Sequence, residues 1–403
     1  MPAPSGNALI GQSGGPTVVI NQSLVGVIEA CLAAPQIKSV YGALHGIQGI
    51  LDENLINLGL EDPAELERVA ATPCAALRSV RRRPTEEDCE RMLRVFQAHD
   101  IRYFFYIGGN DTAETADILG RVAAAANYEV QLFHVPKTID NDLMVTDHCP
   151  GYPSAAKFVA QALMGDDCDN TSLGGVKIDV IMGRHAGWLT AAAGLGRRDE
   201  ADGPHLIYVP EVAFDMQRFL ERVATVMDEH GRCVAAVSEG IHDADGELIA
   251  SSKDKDSHGN VQLSGTGALG DLLAGRVKEH LGKGARVRAD TFGYLQRSYF
   301  GVVSAQDALE AREVGREAVR VATSGKRNSG SLVIERGELD GRYAPQYAVA
   351  KLAQVAGKTQ VMPAEFLLGD DNVSSAFKDW AMPLVGELPV RGRLMDLPVP
   401  KRL

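Results

Sequence analysis

Short apolar runs of strand length alternate with helix-length stretches along this chain. Most of the runs stop at glycines or at a cluster of polar residues. Strands lie at 7–12, from 40, at 103–107, 130–135, 177–182, 206–211, 233–240 and 330–335, with helices at 18–33, 86–99, from 113, within 147–164 and at 305–323. Strands joined through helices pair in parallel, and such sheets are covered on both faces. We therefore expect an α/β chain of two Rossmann-like domains, with mainly parallel sheets, helices on both faces and a site in the inter-domain cleft. Residues 40–51 read as a second strand running into a glycine-rich loop, 253–267 as a mobile polar loop, and the stretch after 335 as mixed helix and loop with a basic end.

Bulk properties narrow the function. A length of 403 residues accommodates two or three domains of about 150 residues. The net charge of -12 works against nucleic acid and anionic membranes as partners. Phosphate chemistry then needs a local cationic pocket or a metal. No apolar run approaches the roughly 20 residues that span a bilayer, and the first residues lack the basic-then-apolar pattern of a secretory leader. The six scattered cysteines form no CxxC pair and read as free thiols of a reducing compartment, so a cytoplasmic location is expected.

The most informative strand end is Val135-Pro-Lys-Thr-Ile-Asp-Asn-Asp-Leu143, which places a cation, a hydroxyl and two carboxylates within six residues. Ligands of open α/β sheets bind beyond the carboxyl ends of strands. A polar turn built on Asn-Asp is the plainer reading of this stretch alone. Two strand–glycine–helix junctions, Ser13-Gly-Gly-Pro16 and Gly108-Gly-Asn-Asp111, shift the balance toward a phosphate site. Such junctions aim backbone N–H groups and a helix start at an anion. Asn110 and Asp111 offer oxygen ligands suited to Mg²⁺, with helix capping as the alternative use. Arg78, Arg81, Arg82 and Arg83 form a basic cluster that is either a solvated face or an anion clamp. Arg184 follows another strand and can reach a phosphoryl group, whereas His185 beside it reads as structural. Glu211 and Glu239 each close a strand, and Arg286, Arg288 and residues 291–297 carry a last set of cations and hydroxyls.

Taken together, Gln12-Ser-Gly-Gly-Pro16, Gly108-Gly-Asn-Asp111, Pro136-Lys-Thr-Ile-Asp-Asn-Asp142, Met182-Gly-Arg184, Pro210-Glu211 and Tyr294-Leu-Gln-Arg297 resemble the phosphofructokinases, in that family's order and across most of the chain. The resemblance implies Mg²⁺-dependent phosphoryl transfer to the 1-hydroxyl of fructose 6-phosphate. It also implies a donor domain (1–151 plus about 296–345) and a sugar-phosphate domain (about 152–295 plus 346–403). Members that use ATP carry Gly-Gly-Asp-Gly and Pro-Gly-Thr-Ile-Asp, where this chain has Asp111 and Lys137. Those two residues are similar to the pyrophosphate-using branch, as is the run Val355 to Phe366. A carboxylate at 111 repels and crowds the α-phosphate of ATP, and a lysine at 137 supplies point charge to a small donor that has no adenine.

By the same resemblance Asp140 is the general base, with Thr138 hydrogen-bonding near the reacting hydroxyl. Lys137, Arg81 and Arg184 stabilise charge on the phosphoryl group, and Asp111 joins them in the catalytic set. Gly15, Thr138, Ile139, Met182, Gly183 and Arg184 line the substrates. Glu211 binds sugar hydroxyls, Tyr294 and Arg297 clamp the sugar and its 6-phosphate, and Arg288 reaches a neighbouring subunit. Asn110 stands where many members carry a metal-binding aspartate, so Asn110 and Asp111 are the expected Mg²⁺ ligands, with Asp142 as a further candidate. A homodimer is expected, with a tetramer as the alternative. The rivals are an ATP-dependent enzyme of the same fold and a non-catalytic regulatory subunit. A dinucleotide-binding oxidoreductase lacks its G-x-G-x-x-G fingerprint here.

Overall fold

A computed structural model describes residues 3–250, 267–395 and 397–402. The loop expected at 253–267 therefore lies, except for Gly267, outside the described residues. Eleven strands are described, numbered in chain order. They are β1 (Gly6–Gln12), β2 (Ile37–Ala43), β3 (Leu55–Asn57), β4 (Ile101–Gly108), β5 (Gln131–Pro136), β6 (Gly175–Ile181), β7 (Leu206–Tyr208), β8 (Arg232–Ser238), β9 (Val287–Thr291), β10 (Ser329–Leu339) and β11 (Arg342–Ala350). They form a seven-stranded sheet, β11-β10-β5-β4-β1-β2-β3, and a four-stranded sheet, β7-β8-β6-β9.

The smaller sheet is wholly parallel, and the larger is antiparallel only at its edges, β2–β3 and β10–β11. Its central strands are mostly apolar because both faces are covered, and the buried His134 of β5 is bonded to Ser331 and to the Gly108 carbonyl. On one face Ile10, Phe105 and Val135 pack against the helices Ile20–Ala33 and Ala305–Thr323. On the other, Leu9, Phe104 and Tyr106 meet the helices Glu86–Ala98 and Asn110–Ala125. The two helices of the first face touch backbone to backbone. A Cβ added at Gly26 would lie 2.1 Å from the Arg312 carbonyl, so only glycine permits that approach.

Three readings of the sequence need correction. Residues 46–51 form a short helix, Gly46–Leu51, rather than a loop. Ile47, Ile50 and Leu51 face the core, and this apolar spacing reads equally as buried strand or loop when taken alone. The C-terminal stretch contains β11, which extends the first sheet to Ala350 and so runs past the expected division near 345. Asn110 and Asp111 are the first helical residues rather than caps; Gly109 stands at the cap with no side-chain bond.

Beyond β5 the chain enters a buried polar knot. The His148 side chain, 1% exposed, contacts Asp147 Oδ2 at 2.8 Å and Glu310 Oε2 at 2.5 Å. The Tyr343 hydroxyl and the Gln306 amide donate to Glu310 at 2.7 Å each, and Trp380 Nε1 donates to Asp147 at 3.0 Å. The knot ties the loop after β5 to the helix Ala305–Thr323, to β11 and to the helix Ser375–Val385. Burial lowers the His148 pKa, but its hydrogen bonds to Asp147 and Glu310 outweigh that and raise it to about 9. A raised folded pKa gives stability that is complete below the unfolded value near 6.5 and lost as pH climbs through about 9. We expect wild type to exceed His148→Gln in stability by about 3 kcal/mol more at pH 6 than at pH 9.5. Urea unfolding midpoints of both proteins at the two pH values check this; an equal gap would contradict it.

Candidate active site

The larger sheet changes winding direction between β1 and β4, and both glycine junctions sit at the carboxyl ends of those strands. This is the position at which open α/β sheets bind ligands. The cavity there, about 370 Å³, is also lined from the second lobe by Met182, Arg184, His185 and Glu239 and from the connection between the lobes by Tyr294 and Arg297. Arg81, Arg82, Lys137, Arg184 and Arg297 face Asp111, Asp140, Asp142 and Glu239, a slight positive excess inside a strongly acidic protein. The local cationic enclave that phosphate chemistry requires is thus present.

The donor wall is built on backbone. Gly14 has φ +76°, a left-handed turn that glycine tolerates, and Lys137 Nζ bonds to the Gly15 carbonyl. A Cβ at Gly15 would lie 2.6 Å from Arg297 Nη1, so the guanidinium closes over the turn. Ser79 Oγ donates to the Gly14 carbonyl at 2.6 Å, which pins the arginine segment to the same turn. That contact sorts the four arginines. Arg81 and Arg82 line the cavity, Arg83 pairs with Glu114, and Arg78 turns away with Nη1 3.4 Å from His45 Nε2.

The β5 end holds its groups equally firmly. Thr138 Oγ1 accepts from the Asp140 N–H at 3.1 Å and donates to Asp142 Oδ1 at 3.3 Å. Asn141 takes a left-handed φ of +55°, and its side-chain oxygen accepts from the Cys149 N–H at 2.9 Å. Burial raises the pKa of Asp140, against the opposing pull of Lys137, Arg297 and Arg184. Burial and the charge of Asp140 push Asp142 up to about 7. Burial lowers Lys137, 3% exposed, to about 8. A carboxylate forced toward a higher pKa among cations is a candidate proton acceptor.

Asn110 Nδ2 donates to Asp142 Oδ2 at 3.4 Å, while Asn110 Oδ1 is buried with no hydrogen-bond partner. An orphaned oxygen beside two carboxylates, Asp111 and Asp142, fits a hard cation such as Mg²⁺.

On the acceptor side Met182 N–H donates to Gln296 Oε1 at 3.2 Å, which couples the β6 end to the Tyr294–Arg297 turn. Gly183 has φ +144°, and its carbonyl accepts from Ser238 Oγ at 2.5 Å. Arg297 lies 4.4 Å over the Tyr294 ring.

Gly15, Asp111, Lys137, Thr138, Ile139, Asp140, Met182, Arg184, Tyr294 and Arg297 all border this cavity. Three expected residues do not: Glu211, Arg288 and Gly183, the last of which stands between two that do. The Glu211 carboxylate accepts from the Gly187 N–H at 2.9 and 3.1 Å and from the Met362 N–H at 3.0 Å, so backbone amides consume it. Glu239, which closes β8 and is 7% exposed, lines the cavity instead. Arg288 is exposed on the edge strand β9, away from the cavity. His185, read as structural, lines it and lies close enough to feel the charges of Arg184 and Asp140. Thr359 also lines it, from a segment more than two hundred residues beyond the donor motifs. Strand-end position signals Glu239 in the sequence; Thr359 falls within the run Val355 to Phe366, whose resemblance to the pyrophosphate-using branch assigns it no role.

A family model described as Phosphofructokinase matches residues 7–322. The chain is 50% identical over 404 residues to a Rhodospirillum rubrum protein named pyrophosphate–fructose 6-phosphate 1-phosphotransferase, with 99% of each covered. A protein of the same name from Methylococcus capsulatus is 36% identical, with 98% of each covered. A crystal structure of a pyrophosphate-dependent phosphofructokinase from Nitrosospira multiformis matches with a TM-score of 0.86 and 35% identity, covering 99% of this chain and 98% of the other.

Proposed function

Since the chain belongs to the phosphofructokinase family, we propose that it transfers a phosphoryl group from pyrophosphate to the 1-hydroxyl of fructose 6-phosphate. The products are fructose 1,6-bisphosphate and phosphate. One observation carries the choice of donor: a buried Lys137 tied to the Gly15 turn, with Asp111 at the mouth of the same pocket. The names of full-length relatives support the same choice.

In this reading Asp140 accepts the proton of the 1-hydroxyl as its oxygen bonds to the distal phosphorus and the bridging P–O bond breaks. Thr138 orients Asp140 through the backbone bond at 3.1 Å. Lys137, Arg81, Arg184 and Arg297 face the phosphoryl group as charge spreads over its oxygens, and phosphoryl transfer depends mainly on such positioning and electrostatics. The Gly14–Gly15 backbone cradles the donor. Tyr294 and Arg297 clamp the sugar phosphate, with Glu239 rather than Glu211 facing its hydroxyls. Asn110, Asp111 and Asp142 would hold Mg²⁺, which when bound neutralises donor charge.

The transfer is reversible in this account, because pyrophosphate and the sugar bisphosphate are comparable donors. Arg288, exposed and off its own cavity, supports a homodimer in which it serves the neighbouring site, with a tetramer as the larger assembly. Six free thiols support a reducing, cytoplasmic setting, and no helix among the described residues is long and apolar enough to cross a membrane.

The test is product formation from fructose 6-phosphate and Mg²⁺ with either pyrophosphate or ATP. Fructose 1,6-bisphosphate should appear with pyrophosphate; product with ATP alone would reverse the reading.

A further inference from the structure

The run Val355 to Phe366 resembles the pyrophosphate-using branch yet lies far along the chain from the donor motifs. In the structure it forms a strap across the cleft, tied to both lobes. The Gln360 N–H donates to the Asp142 carbonyl at 2.8 Å. The Trp188 Nε1 donates to the Gln360 carbonyl at 3.5 Å, and the Met362 N–H donates to Glu211 at 3.0 Å. Glu211 is itself fixed by the Gly187 N–H at 2.9 Å. Met362, 3% exposed, is buried in the second lobe, while Val361 beside it is 55% exposed. The strap thus has a defined register, with buried and exposed positions alternating.

That register fixes Thr359. Its neighbour Gln360 is bonded to the loop that carries Asp142, and Asp142 is bonded to Asn110 on the donor wall. Thr359 is exposed and lines the cavity, the only described residue after Arg297 to do so. A hydroxyl held by anchored backbone at the edge of an anion site is a preorganised donor for a phosphate oxygen. Unlike a lysine, it adds no charge and can also accept from metal-bound water.

We propose that Thr359 is a donor-binding residue whose hydroxyl hydrogen-bonds to pyrophosphate, and that the strap exists to hold it there. This rests on the reading that pyrophosphate binds at the Gly14–Gly15 and Lys137 wall. A small donor without a nucleoside draws its affinity from phosphate contacts alone, so each well-placed hydroxyl counts. The rival role is structural: the strap closes the two lobes and Thr359 is incidental to it.

Steady-state kinetics of Thr359→Val and Thr359→Ser at saturating Mg²⁺ separate these roles. Valine keeps the shape and deletes the hydroxyl; serine keeps the hydroxyl. We expect the pyrophosphate KM of Thr359→Val to rise about tenfold, as for a lost hydrogen bond to a charged group. The KM for fructose 6-phosphate and the thermal midpoint should stay at wild-type values, and Thr359→Ser should restore the pyrophosphate KM. An unchanged pyrophosphate KM in Thr359→Val, with wild type active on pyrophosphate, overturns this inference alone. A rise in both KM values with a lower midpoint assigns the strap a purely structural role and also overturns it. Wild type inactive with pyrophosphate overturns both this inference and the reading beneath it.

Discussion

Asp140→Ala is expected to lose turnover by about 10³-fold while its KM for fructose 6-phosphate barely changes, as for loss of a general base. The carboxylate stands just past β5, where Thr138 holds its backbone, and cations surround it from both lobes. In the proposed mechanism sugar binding rests on other groups, Tyr294, Arg297 and Glu239, which line the cavity and which the substitution leaves in place. Asp140→Asn should lose nearly as much, because it keeps the shape and removes the basicity. Neither variant should unfold, since burial already works against the Asp140 charge, so its removal relieves a cost. Steady-state kinetics with a thermal-unfolding control read both points. Wild-type turnover in either variant would remove Asp140 from the mechanism.

The second large effect concerns the donor. Lys137→Gly combined with Asp111→Gly should lower kcat/KM for pyrophosphate by about 10²-fold or more, the scale of losing a preorganised charge contact. Lys137 is buried and bonded to the Gly15 carbonyl, so its ammonium is directed at the donor turn and cannot be replaced from solvent. Asp111 is exposed in the first helical turn after Gly109 and lines the same cavity, and in the proposed reading its charge repels a longer polyphosphate. Removing both takes away the attraction to the small donor and the repulsion of the large one. ATP turnover should therefore rise relative to pyrophosphate turnover, as kcat/KM for each donor will show. Unchanged pyrophosphate kinetics in the double variant would refute the assignment of donor choice to these residues.

The sequence displays its strand ends well and its long-range closures poorly. β4 and β5 are legible because parallel strands covered on both faces are dominated by apolar residues, and their polar ends then stand out. Lys137, Asp140 and the two glycine junctions belong to such ends, and the cavity brings them together. The helix Gly46–Leu51 is hidden because six residues cannot display a helical period. Strand β11 is hidden because its residues are half exposed on an edge and paired only by the hairpin with β10.

Glu211 and Glu239 show the limit most clearly. Both close strands with a carboxylate, and the sequence gives them equal standing. What separates them is where each is fastened. The Met362 N–H holds Glu211 from 151 positions away, outside the cavity lining, whereas Glu239 lines the cavity. His185 and Thr359 are likewise assigned by which wall their backbone is fastened to.

Selection of pyrophosphate over a nucleoside triphosphate by this pocket can be read in one tube. Wild-type enzyme is given fructose 6-phosphate, Mg²⁺ and equal concentrations of pyrophosphate and ATP, and ³¹P NMR follows both donors. The pyrophosphate resonance should fall in step with the rise of the sugar 1-phosphate signal while the γ-phosphate of ATP stays constant. Loss of the γ-phosphate signal with pyrophosphate untouched would contradict that selection.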